Sequence, residues 1–565
     1  MNHRTQNASR FFPWYVFLPF IVFVLHSLLF RSWLSDDAGI SFAYARNFIH
    51  GHGFVAQYGV EPVEGFSNPL WTLLIAPVFI CDPVDPTLYL KLISSAVILA
   101  TFALVAKISQ SLFRHTWWAR STTASVLVFM SVNTSFVVWT TSGLENPLYA
   151  FLCALYCVQL VMYATDPDRR SVAVAGYAGL SVAGLALTRP DGIVFLAAFP
   201  GVLAILLLND ISLWKAEGRR LVAFLAASLL PVFAYTLFRV AYFGDFFPNT
   251  YHVKGGPSLR DMVRLVFLTS EYLQTTYDLF YGIFSWLAGP LMILLLLGVF
   301  YLLFARRKTS AVVFLLPIVV CTWAIYCLLP PDWMGEYRFA TPFLLALPLM
   351  LMSLLTDILA NVPLPSRILK GVFLGCVALL VANSAAVCLP RSLRFAEDPT
   401  VPFNEIATEF GIRFNYYADE LGISGASFLL PDLGGTLYFS RHRVYDLAGL
   451  CDRRIAPLTA LEDGSKLRDH VFDLRPTFIH IHDYWSIRTG LYSDDRFRQL
   501  YVAIIETPSE QAKKIGMNDV YSGDYVLKDA IHSQETLERL RQKLRDNTQQ
   551  EHPPDGKKAR PFPRG

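Results

Sequence analysis

The segment YGIFSWLAGPLMILLLLGVFYLLF (residues 281–304) contains no charged side chain. A helix rises about 1.5 Å per residue, so roughly 20 such residues cross a hydrocarbon core about 30 Å thick. The whole chain shows the same bias, since 54% of its 565 residues are hydrophobic and only 16% are charged. Ordinary soluble domains carry about 25% charged residues. The sequence therefore predicts a protein that crosses a membrane several times.

Similar apolar runs recur along the chain and predict about eleven transmembrane helices. They cover residues 12–30, 88–110, 120–141, 147–164, 172–187, 192–208, 221–243, 281–304, 311–329, 340–359 and 369–389. A further apolar segment, NPLWTLLIAPVFIC (68–81), is too short to cross easily and is predicted to be a re-entrant or interfacial helix. The expected fold class is an α-helical, polytopic membrane protein with a C-terminal α/β domain.

Basic and acidic connections alternate between these runs, which sets the expected orientation. The basic connections are SLFRHTWWAR, DPDRR, NDISLWKAEGRR, ARRKTS and PSRILK, together with the amino-terminal MNHRTQNASR. The other connections carry acids, arginines and aromatic residues and lie at 35–46, 141–147, 188–192, 242–256 and 330–339. The positive-inside rule predicts a cytoplasmic N-terminus and places the acidic loops outside. A catalytic or binding site is expected where polar groups gather at one membrane face, so we expect the functional site among the acidic loops at the outer face.

Beyond residue 390 the pattern changes to that of a soluble α/β domain, predicted on the same outer face. Five short segments are typical of strands: ASFLLPD (426–432), RVYDLAG (443–449), PTFIHIHD (476–483), YVAIIET (501–507) and VYSGDYVLKD (520–529). We therefore expect a transmembrane catalytic domain at 1–389, a soluble domain at 390–532, and a charged helix with a disordered tail at 533–565.

No motif in the chain demands a cofactor or a nucleic acid partner. The net charge of +3 is small, and the eight cysteines lack a CxxC pair or other metal-ligand spacing. His480 and His482 would share one side of a strand and, with Asp483, mimic a metal site, but a structural or carbohydrate-contacting role is commoner. Asp36, Asp37 and Glu145 offer oxygen ligands that a divalent ion could use. A divalent ion is therefore possible, but nothing in the sequence supports one, and we predict no cofactor and no bound metal.

Two adjacent carboxylates stand out in SDDAGISFAYARNFIHGHG (35–53), directly after the first apolar run. Ser35 or Asp36 suits a helix N-cap and Gly51 suits a C-terminal stop, which predicts a helix of three to four turns on the outer face. Since a helix N-terminus stabilises negative charge, Asp36 and Asp37 are expected to be ionised at neutral pH, as a general base must be. Helix capping is the alternative role for both.

The stretch SDDAGISFAYARNFIHGHGFVAQYGVEPVEGFSNPLWT resembles the first outer loop of bacterial GT-C-fold glycosyltransferases that use polyprenyl-phosphosugars, among them the mycobacterial terminal arabinofuranosyltransferases. The shared features are Asp36-Asp37, Arg46-Asn47, Gly51-His52-Gly53 and the segment from Val63 to Thr72. SGLEN (142–146), TRPDG (188–192), YFGDFFPNTYHVK (242–254), PDWMGEYRF (331–339) and YDLAGLCD (445–452) resemble later landmarks in the same order. Pro330-Pro331 and Asp191 depart from the family pattern.

The resemblance implies a multi-pass enzyme of the bacterial inner (plasma) membrane. Its expected partners are membrane lipids, a polyprenyl-phosphosugar donor and a glycan acceptor at the outer face, and arabinofuranose is one candidate sugar. Such an enzyme must deprotonate the acceptor hydroxyl and neutralise the departing phosphate. Asp36 is the first candidate for the base and Asp37 the second, and a single displacement would invert the anomeric centre.

Further site residues are expected among the polar side chains of the outer loops. Candidates for the donor phosphate are the cations Arg46, His252, Lys254 and Arg338. Anchoring to lipid head groups is their alternative role, and Arg338 has Asp332 and Glu336 beside it as pairing partners. Candidates for sugar or acceptor contacts are Glu145, Asp191, Asp332, Trp333 and Glu336.

Two other classes of protein fit the same composition. A transporter or flippase of polyprenyl-linked sugars would have as many helices, but would be expected to place charges near the bilayer midplane and to show inverted repeats. A non-catalytic membrane protein with a glycan-binding outer domain would tolerate loss of Asp36. The sugar and the acceptor stay open at this stage.

Overall fold

The computed structural model describes residues 13–255, 259–306, 310–330, 332–459, 461, 464–517 and 519–551. The amino-terminal basic segment (1–10), Pro331 and the predicted disordered tail after residue 551 lie outside these ranges. The described chain divides into two compact units. The first unit contains residues 13–32, 87–234 and 259–400, and the second contains residues 33–86, 235–255 and 401–551.

Within the described residues, 8 helical segments are long and apolar enough to cross a membrane. They are Thr87–Leu112, Asn146–Thr165, Pro190–Asn209, Ile211–Phe243, Ser270–Ala305, Ala311–Leu328, Arg338–Ala360 and Ser366–Glu397. Each corresponds to one of the predicted apolar runs, so the prediction of a multi-pass helical membrane protein is confirmed.

The remaining three predicted spans take other forms. The segment predicted at 120–141 is two helices, Thr116–Val132 and Thr134–Thr140, bent by 74°. The break lies at Asn133, whose side chain accepts a hydrogen bond from the Phe136 N–H at 3.0 Å and so caps a new helix. Trp14–Phe30 and Val172–Thr188 are apolar helices of 10–17 residues, shorter than the other spans.

Two further short helices belong to segments outside these spans. The segment predicted as too short to cross forms an α-helix, Pro69–Ile75, that continues as a 3-10 turn over Ala76–Cys81. Its position in a membrane stays a prediction. Leu259–Val266 is a short helix of the first unit that the sequence did not indicate.

A five-stranded sheet forms the centre of the described part of the second unit, and its strands confirm the five predicted segments. The strands are β1 (Ser427–Leu430), β2 (Arg443–Asp446), β3 (Phe478–Ile481), β4 (Tyr501–Pro508) and β5 (Tyr521–Leu527). Their order is β2-β1-β3-β5-β4. β1 is parallel to β2 and β3, whereas β5 is antiparallel to β3 and β4.

Successive side chains of a strand point to opposite faces of the sheet. Helices pack against the side chains on each of these two faces. Phe428 packs with the helices Arg413–Glu420 and Gln534–Glu551 on one face. Leu429 packs with the helices Ser465–Leu474 and Asp495–Leu500 on the other. The other α-helices in the described part of this unit are Asp36–Ile49, Pro69–Ile75, Asn249–Lys254, Phe403–Ile406, Gly434–Phe439, Ala456–Thr459, Asp483–Thr489 and Glu510–Lys514.

The second unit is larger than the soluble domain predicted at 390–532. It takes in the first loop (33–86) and residues 235–255, while the helix Ser366–Glu397 carries the first unit past residue 390. Backbone pairing joins these distant segments, since Ser35 bridges to Pro402 and the Phe403 N–H donates to the Leu34 carbonyl at 2.9 Å. Such pairing leaves no local mark in the sequence.

Candidate functional site

The carboxylate pair opens the helix Asp36–Ile49, as the sequence predicts. Ser35 precedes it in an extended conformation, and Gly51 follows it with a φ of +79°. Only glycine adopts that conformation without cost, so it ends the helix. The helix is fixed to its own loop by the Asn47 side chain, which donates to the Val55 and Ala56 carbonyls at 2.9 and 3.1 Å.

Asp36 is buried against the helix Gly434–Phe439. Its two carboxylate oxygens accept the backbone N–H groups of Gly434 at 2.9 Å and Gly435 at 2.6 Å. Only 5% of the residue is exposed. This close approach depends on glycine, since a Cβ on Gly434 would lie 1.7 Å from the Asp36 carbonyl oxygen. Asp36 therefore joins the first loop to the C-terminal segment of the same unit.

Burial acts against the expected ionisation of Asp36 at neutral pH. Burial raises the pKa of Asp36 to about 8, although the Gly435 and Gly434 N–H groups act in the opposite direction. Repulsion from Asp432 and Asp37 adds to the rise. The helix N-terminus was expected to favour the charge, but removal of the carboxylate from water outweighs that effect.

Asp37 has a different environment from Asp36. Successive residues on an α-helix point about 100° apart, so the Asp37 carboxylate does not share the buried contact. Its side chain is 24% exposed, and its Oδ2 atom lies 3.9 Å from the Lys254 Nζ. Lys254 is itself 55% exposed. An acid and a cation predicted to bind phosphate are thus adjacent, and both reach solvent.

Lys254 is the last residue of a short helix, Asn249–Lys254, and the contacts of the first residue, Asn249, hold this helix in place. The Asn249 N–H donates to the Glu64 carbonyl at 3.0 Å, and the Asn249 side chain donates to the carbonyls of Gly449 at 2.6 Å and Leu450 at 2.9 Å. The Gly449 and Leu450 carbonyls belong to YDLAGLCD (445–452), one of the segments on which the family resemblance rests. Asn249 is thus a positioning residue for Lys254 that the sequence did not single out.

The other two cations predicted in this unit have partners of their own. The His252 Nε2 lies 3.0 Å from the Asp245 Oδ2. Arg46 donates to the Tyr438 carbonyl at 2.9 Å and stacks over the Tyr438 ring at 4.5 Å. Arg46 also stands ten residues after Asp36, about 15 Å along the helix axis. The structure therefore brings Lys254, and not Arg46, to the carboxylate pair.

Glu64 forms a buried ion pair that sequence reasoning missed. It accepts hydrogen bonds from the Arg239 guanidinium and from the Tyr235 hydroxyl, the latter at 2.6 Å. Only 2% of Glu64 is exposed. The pair fixes the loop to residues 235–243 of the same unit and, through the Glu64 carbonyl, supports Asn249.

In the first unit, Glu145 and Asp191 lie on either side of Arg189. The Arg189 guanidinium contacts the Glu145 Oε1 at 2.8 Å and the Asp191 Oδ1 at 3.0 Å. The Tyr149 hydroxyl donates to the Asp191 Oδ2 at 3.2 Å. Since all three charged side chains are at most 10% exposed, this is a closed ion cluster. Asp191 lies only two residues after Arg189, but Glu145 lies 44 residues before it in another loop, so spacing did not indicate the cluster.

The segment Asp332–Arg338 divides its acids between two arginines. The Arg338 Nη1 lies 3.6 Å from the Asp332 Oδ2, as one of the predicted alternatives has it. Glu336 pairs with Arg391 instead, on the helix Ser366–Glu397. Glu336 has a positive φ of 47°, a conformation that costs a non-glycine residue energy and that surrounding contacts must maintain. Trp333, by contrast, is 71% exposed.

His480 and His482, in the predicted strand, each lie beside an acid other than the expected Asp483. The His482 Nε2 lies 2.9 Å from the Asp432 Oδ2, and the His480 Nδ1 lies 2.6 Å from the Asp524 Oδ1. Asp483 accepts instead from the Ser509 hydroxyl at 3.1 Å. Asp432 could not be found from spacing, because it lies 50 residues before His482.

Sequence comparison supports the resemblance drawn from the first loop. The chain is 29% identical over 234 residues to the terminal beta-(1->2)-arabinofuranosyltransferase of Mycobacterium tuberculosis, covering 39% of this chain and 34% of that protein. It is 28% identical over 238 residues to the enzyme of the same name from Corynebacterium glutamicum, covering 39% and 33%. The match thus spans about a third of the length of these relatives. No family model matches the chain.

Structural comparison gives a more distant likeness. The archaeal oligosaccharyltransferase AglB from Archaeoglobus fulgidus, solved with an inhibitory peptide and a dolichol-phosphate, aligns with a TM-score of 0.48 and 11% identity, covering 82% of this chain and 69% of that chain. The fold and site define a multi-pass membrane protein with an α/β domain. Among proteins of known activity, it is similar in sequence to terminal arabinofuranosyltransferases.

Proposed function

We propose that this protein is a membrane glycosyltransferase that moves a sugar from a polyprenyl-phosphate donor to a hydroxyl group of a cell-envelope glycan. The observation that carries the proposal is the pair formed by Asp37 and Lys254, whose Oδ2 and Nζ atoms lie 3.9 Å apart. Asp37 lies in the first turn of the helix Asp36–Ile49, within the first loop on which the family resemblance rests. Sequence similarity to named arabinofuranosyltransferases supports it and makes arabinofuranose the first sugar to test.

In the proposed mechanism, Asp37 is the general base and Asp36 is its positioning residue. A base must present an oxygen lone pair to the acceptor hydroxyl. Both Asp36 oxygens already accept backbone N–H groups, whereas Asp37 is partly exposed. The preference drawn from the sequence, with Asp36 first, is therefore reversed. Asp37 takes the acceptor proton while the acceptor oxygen attacks the anomeric carbon and displaces the phosphate, with inversion.

Lys254 is the proposed partner of the departing phosphate. As the phosphate leaves, negative charge grows on its oxygens, and a nearby ammonium group stabilises that charge. Its flexible stem and its exposure of 55% allow it to turn from Asp37 to a bound donor. The donor needs no metal for this step, because it carries a single phosphate.

The acids of the first unit receive different roles under this proposal. Glu145 and Asp191 would maintain the ion cluster around Arg189, and Asp332 would hold Arg338. Trp333 is the proposed contact for an apolar sugar face, since its exposed indole ring suits stacking on a pyranose or furanose. Orientation follows from the basic connections: the N-terminus is proposed to be cytoplasmic, with the carboxylate pair outside.

The proposal is tested by transfer assays on the purified chain in detergent, with a panel of polyprenyl-phosphosugars and glycan extract from the host membrane. Transfer from one donor, with the inverted anomer in the product, is expected. If no donor is consumed but lipid-linked sugar crosses a vesicle bilayer, the chain is a transporter instead. If it binds glycan and does neither, the non-catalytic alternative replaces the proposal.

A further inference from the structure

The C-terminal ends of two neighbouring parallel strands bring three metal-ligating side chains together. Asp432 follows β1, and His480 and His482 lie at the end of β3, which pairs with β1 in parallel register. One ligand atom from each residue lies within 4.8 Å of the others. The carboxyl ends of parallel strands are a common place for ligands to bind.

We propose that Asp432, His480 and His482 form a binding site for a divalent transition-metal cation of the zinc class. Two imidazoles and one carboxylate match the ligands that zinc takes in open sites, where a water molecule or a ligand atom fills the fourth position. Imidazole nitrogens favour zinc and similar ions, whereas Ca²⁺ and Mg²⁺ prefer oxygen ligands. This inference concerns metal binding and does not depend on the proposed transfer reaction.

The surroundings of His480 provide independent support. Its Nδ1 lies 2.6 Å from the Asp524 Oδ1, which leaves Nε2 as the ring nitrogen that a metal would bind. A carboxylate behind the imidazole is the usual arrangement around metal-bound histidines. Asp524 is in turn held by the Tyr417 hydroxyl at 2.9 Å and by the Arg413 guanidinium at 3.1 Å.

Two of the three side chains also have the freedom to close on an ion. Tetrahedral zinc with bonds of about 2.1 Å separates its ligand atoms by about 3.4 Å, so the groups must move by an ångström or so. His480 is buried and is held by Asp524, whereas the side chains of His482 and Asp432 are 36% and 21% exposed. The fixed ligand would receive the ion, and the two mobile ones would close around it.

Binding would also act on the carboxylate pair through a short piece of backbone. Asp432 lies two residues before Gly434, whose N–H holds Asp36. A cation on Asp432 would therefore restrain the segment 432–435 and make the Asp36 contact more rigid. This consequence, unlike the binding itself, matters for catalysis only if the proposed function holds.

The test is metal binding by the tag-free, full-length chain in detergent after EDTA treatment. We expect one Zn²⁺ per chain by elemental analysis, one tetrahedral Co²⁺ by its visible spectrum, and a rise in the unfolding temperature with Zn²⁺ but not with Mg²⁺ or Ca²⁺. Asp432→Asn and His482→Gln should each weaken Zn²⁺ binding at least tenfold, while Asp483→Asn, next in sequence and outside the cluster, should bind as the wild type does.

Several outcomes would overturn the proposal. Zn²⁺ binding by the wild type no tighter than by the Asp432→Asn/His482→Gln double variant would leave only an ion pair between these residues. Loss of binding in Asp483→Asn would place the ion elsewhere, and equal binding of Ca²⁺ would refute the zinc class. Unfolding curves measured in EDTA will check that each variant is folded.

Amide exchange tests the backbone restraint separately. Exchange at the Gly434 and Gly435 N–H groups should slow with Zn²⁺ in the wild type, and unchanged exchange would contradict the restraint.

Discussion

A helix turns adjacent residues toward different surroundings, as it does for Asp36 and Asp37. The buried Asp36 oxygens hold two backbone N–H groups, while Asp37 reaches solvent near Lys254. A buried acid costs free energy when it is charged, and an exposed one does not. The pair thus combines an attachment point with a side chain that is accessible for chemistry.

The raised pKa of Asp36 predicts a specific dependence of stability on pH. The folded-state pKa of about 8 lies above the ordinary value of 3.8, so the folded protein holds this proton more tightly than the unfolded chain does. The resulting stabilisation is complete below pH 4 and is lost as the pH rises toward 8. Unfolding temperatures measured from pH 5 to 9 should therefore fall less steeply for Asp36→Asn than for the wild type.

Asp419→Asn is the matched control for this measurement, because Asp419 is an exposed acid of the same unit. It should leave the slope unchanged. Part of the slope will remain in Asp36→Asn, since burial also raises the pKa of Asp446, to about 7. Equal slopes for Asp36→Asn and the wild type would show that Asp36 is not the titrating group.

Lys254 should affect donor binding through its charge. Charge-assisted hydrogen bonds contribute about 1.5–3 kcal/mol, so Lys254→Gln is expected to reduce kcat/KM for the donor by at least about tenfold. Lys254→Arg should recover most of the loss, since guanidinium also binds phosphate. Lys513→Gln, which removes an exposed lysine paired with Glu510, is the control. Unchanged donor kinetics in Lys254→Gln would remove Lys254 from the site.

At the scale of elements, the helices Asp36–Ile49 and Gly434–Phe439 meet through backbone atoms. A Cβ added to Gly39 would lie 2.5 Å from the Gly434 carbonyl carbon, and one added to Gly434 would lie 1.7 Å from the Asp36 carbonyl oxygen. Backbone atoms cannot rotate away as side chains do. The two glycines therefore fix the distance at which Asp36 can accept its N–H bonds.

Gly434→Ala is accordingly expected to destabilise the protein by about 1–3 kcal/mol or more, as overpacked cores do. Thermal unfolding in detergent measures this. The control is Gly371→Ala, in the helix Ser366–Glu397, where an added Cβ would meet nothing within 4 Å. That change should be neutral or slightly stabilising, since alanine favours helices. Equal effects of the two changes would argue against the close contact.

The ion cluster of the first unit gives a second prediction at this scale. Arg189→Gln leaves Glu145 and Asp191 buried without their cation, which typically costs about 3–5 kcal/mol. We expect a clear fall in unfolding temperature and in yield. Arg169→Gln breaks an exposed pair with Asp166 and should have almost no effect. If Arg189→Gln unfolds like the wild type, the cluster does not stabilise the unit.

For the whole molecule, the sequence predicts local patterns well and distant contacts poorly. Apolar runs and alternating strands are properties of short segments, so eight spans and five strands were found within the described residues. The contact between Asp36 and Gly434 joins residues 398 apart, and that between Glu336 and Arg391 joins residues 55 apart. No composition or spacing marks these two contacts, which is why the contact partners of Asp36 and Arg391 emerged only from the structure.

The orientation of the chain is a prediction for the whole molecule as well. The basic connections predict a cytoplasmic N-terminus and an outer C-terminal domain. Alkaline phosphatase fused after residue 551 should be active in bacterial cells, and a fusion after Arg170, in the basic connection DPDRR, should be inactive. The reverse result would invert the topology and place Asp37 on the cytoplasmic side.

The most direct test of the account is glycosyl transfer by the wild type and by Asp37→Asn, with a donor that the wild type uses. Asp85→Asn, an exposed acid near the end of the same loop segment, is the control. Loss of a general base reduces transfer by about 10²–10⁴-fold, so Asp37→Asn should lose that much while folding and binding donor normally, and Asp85→Asn should retain full activity. Undiminished transfer by Asp37→Asn would contradict the proposed role of the Asp37 carboxylate as the general base.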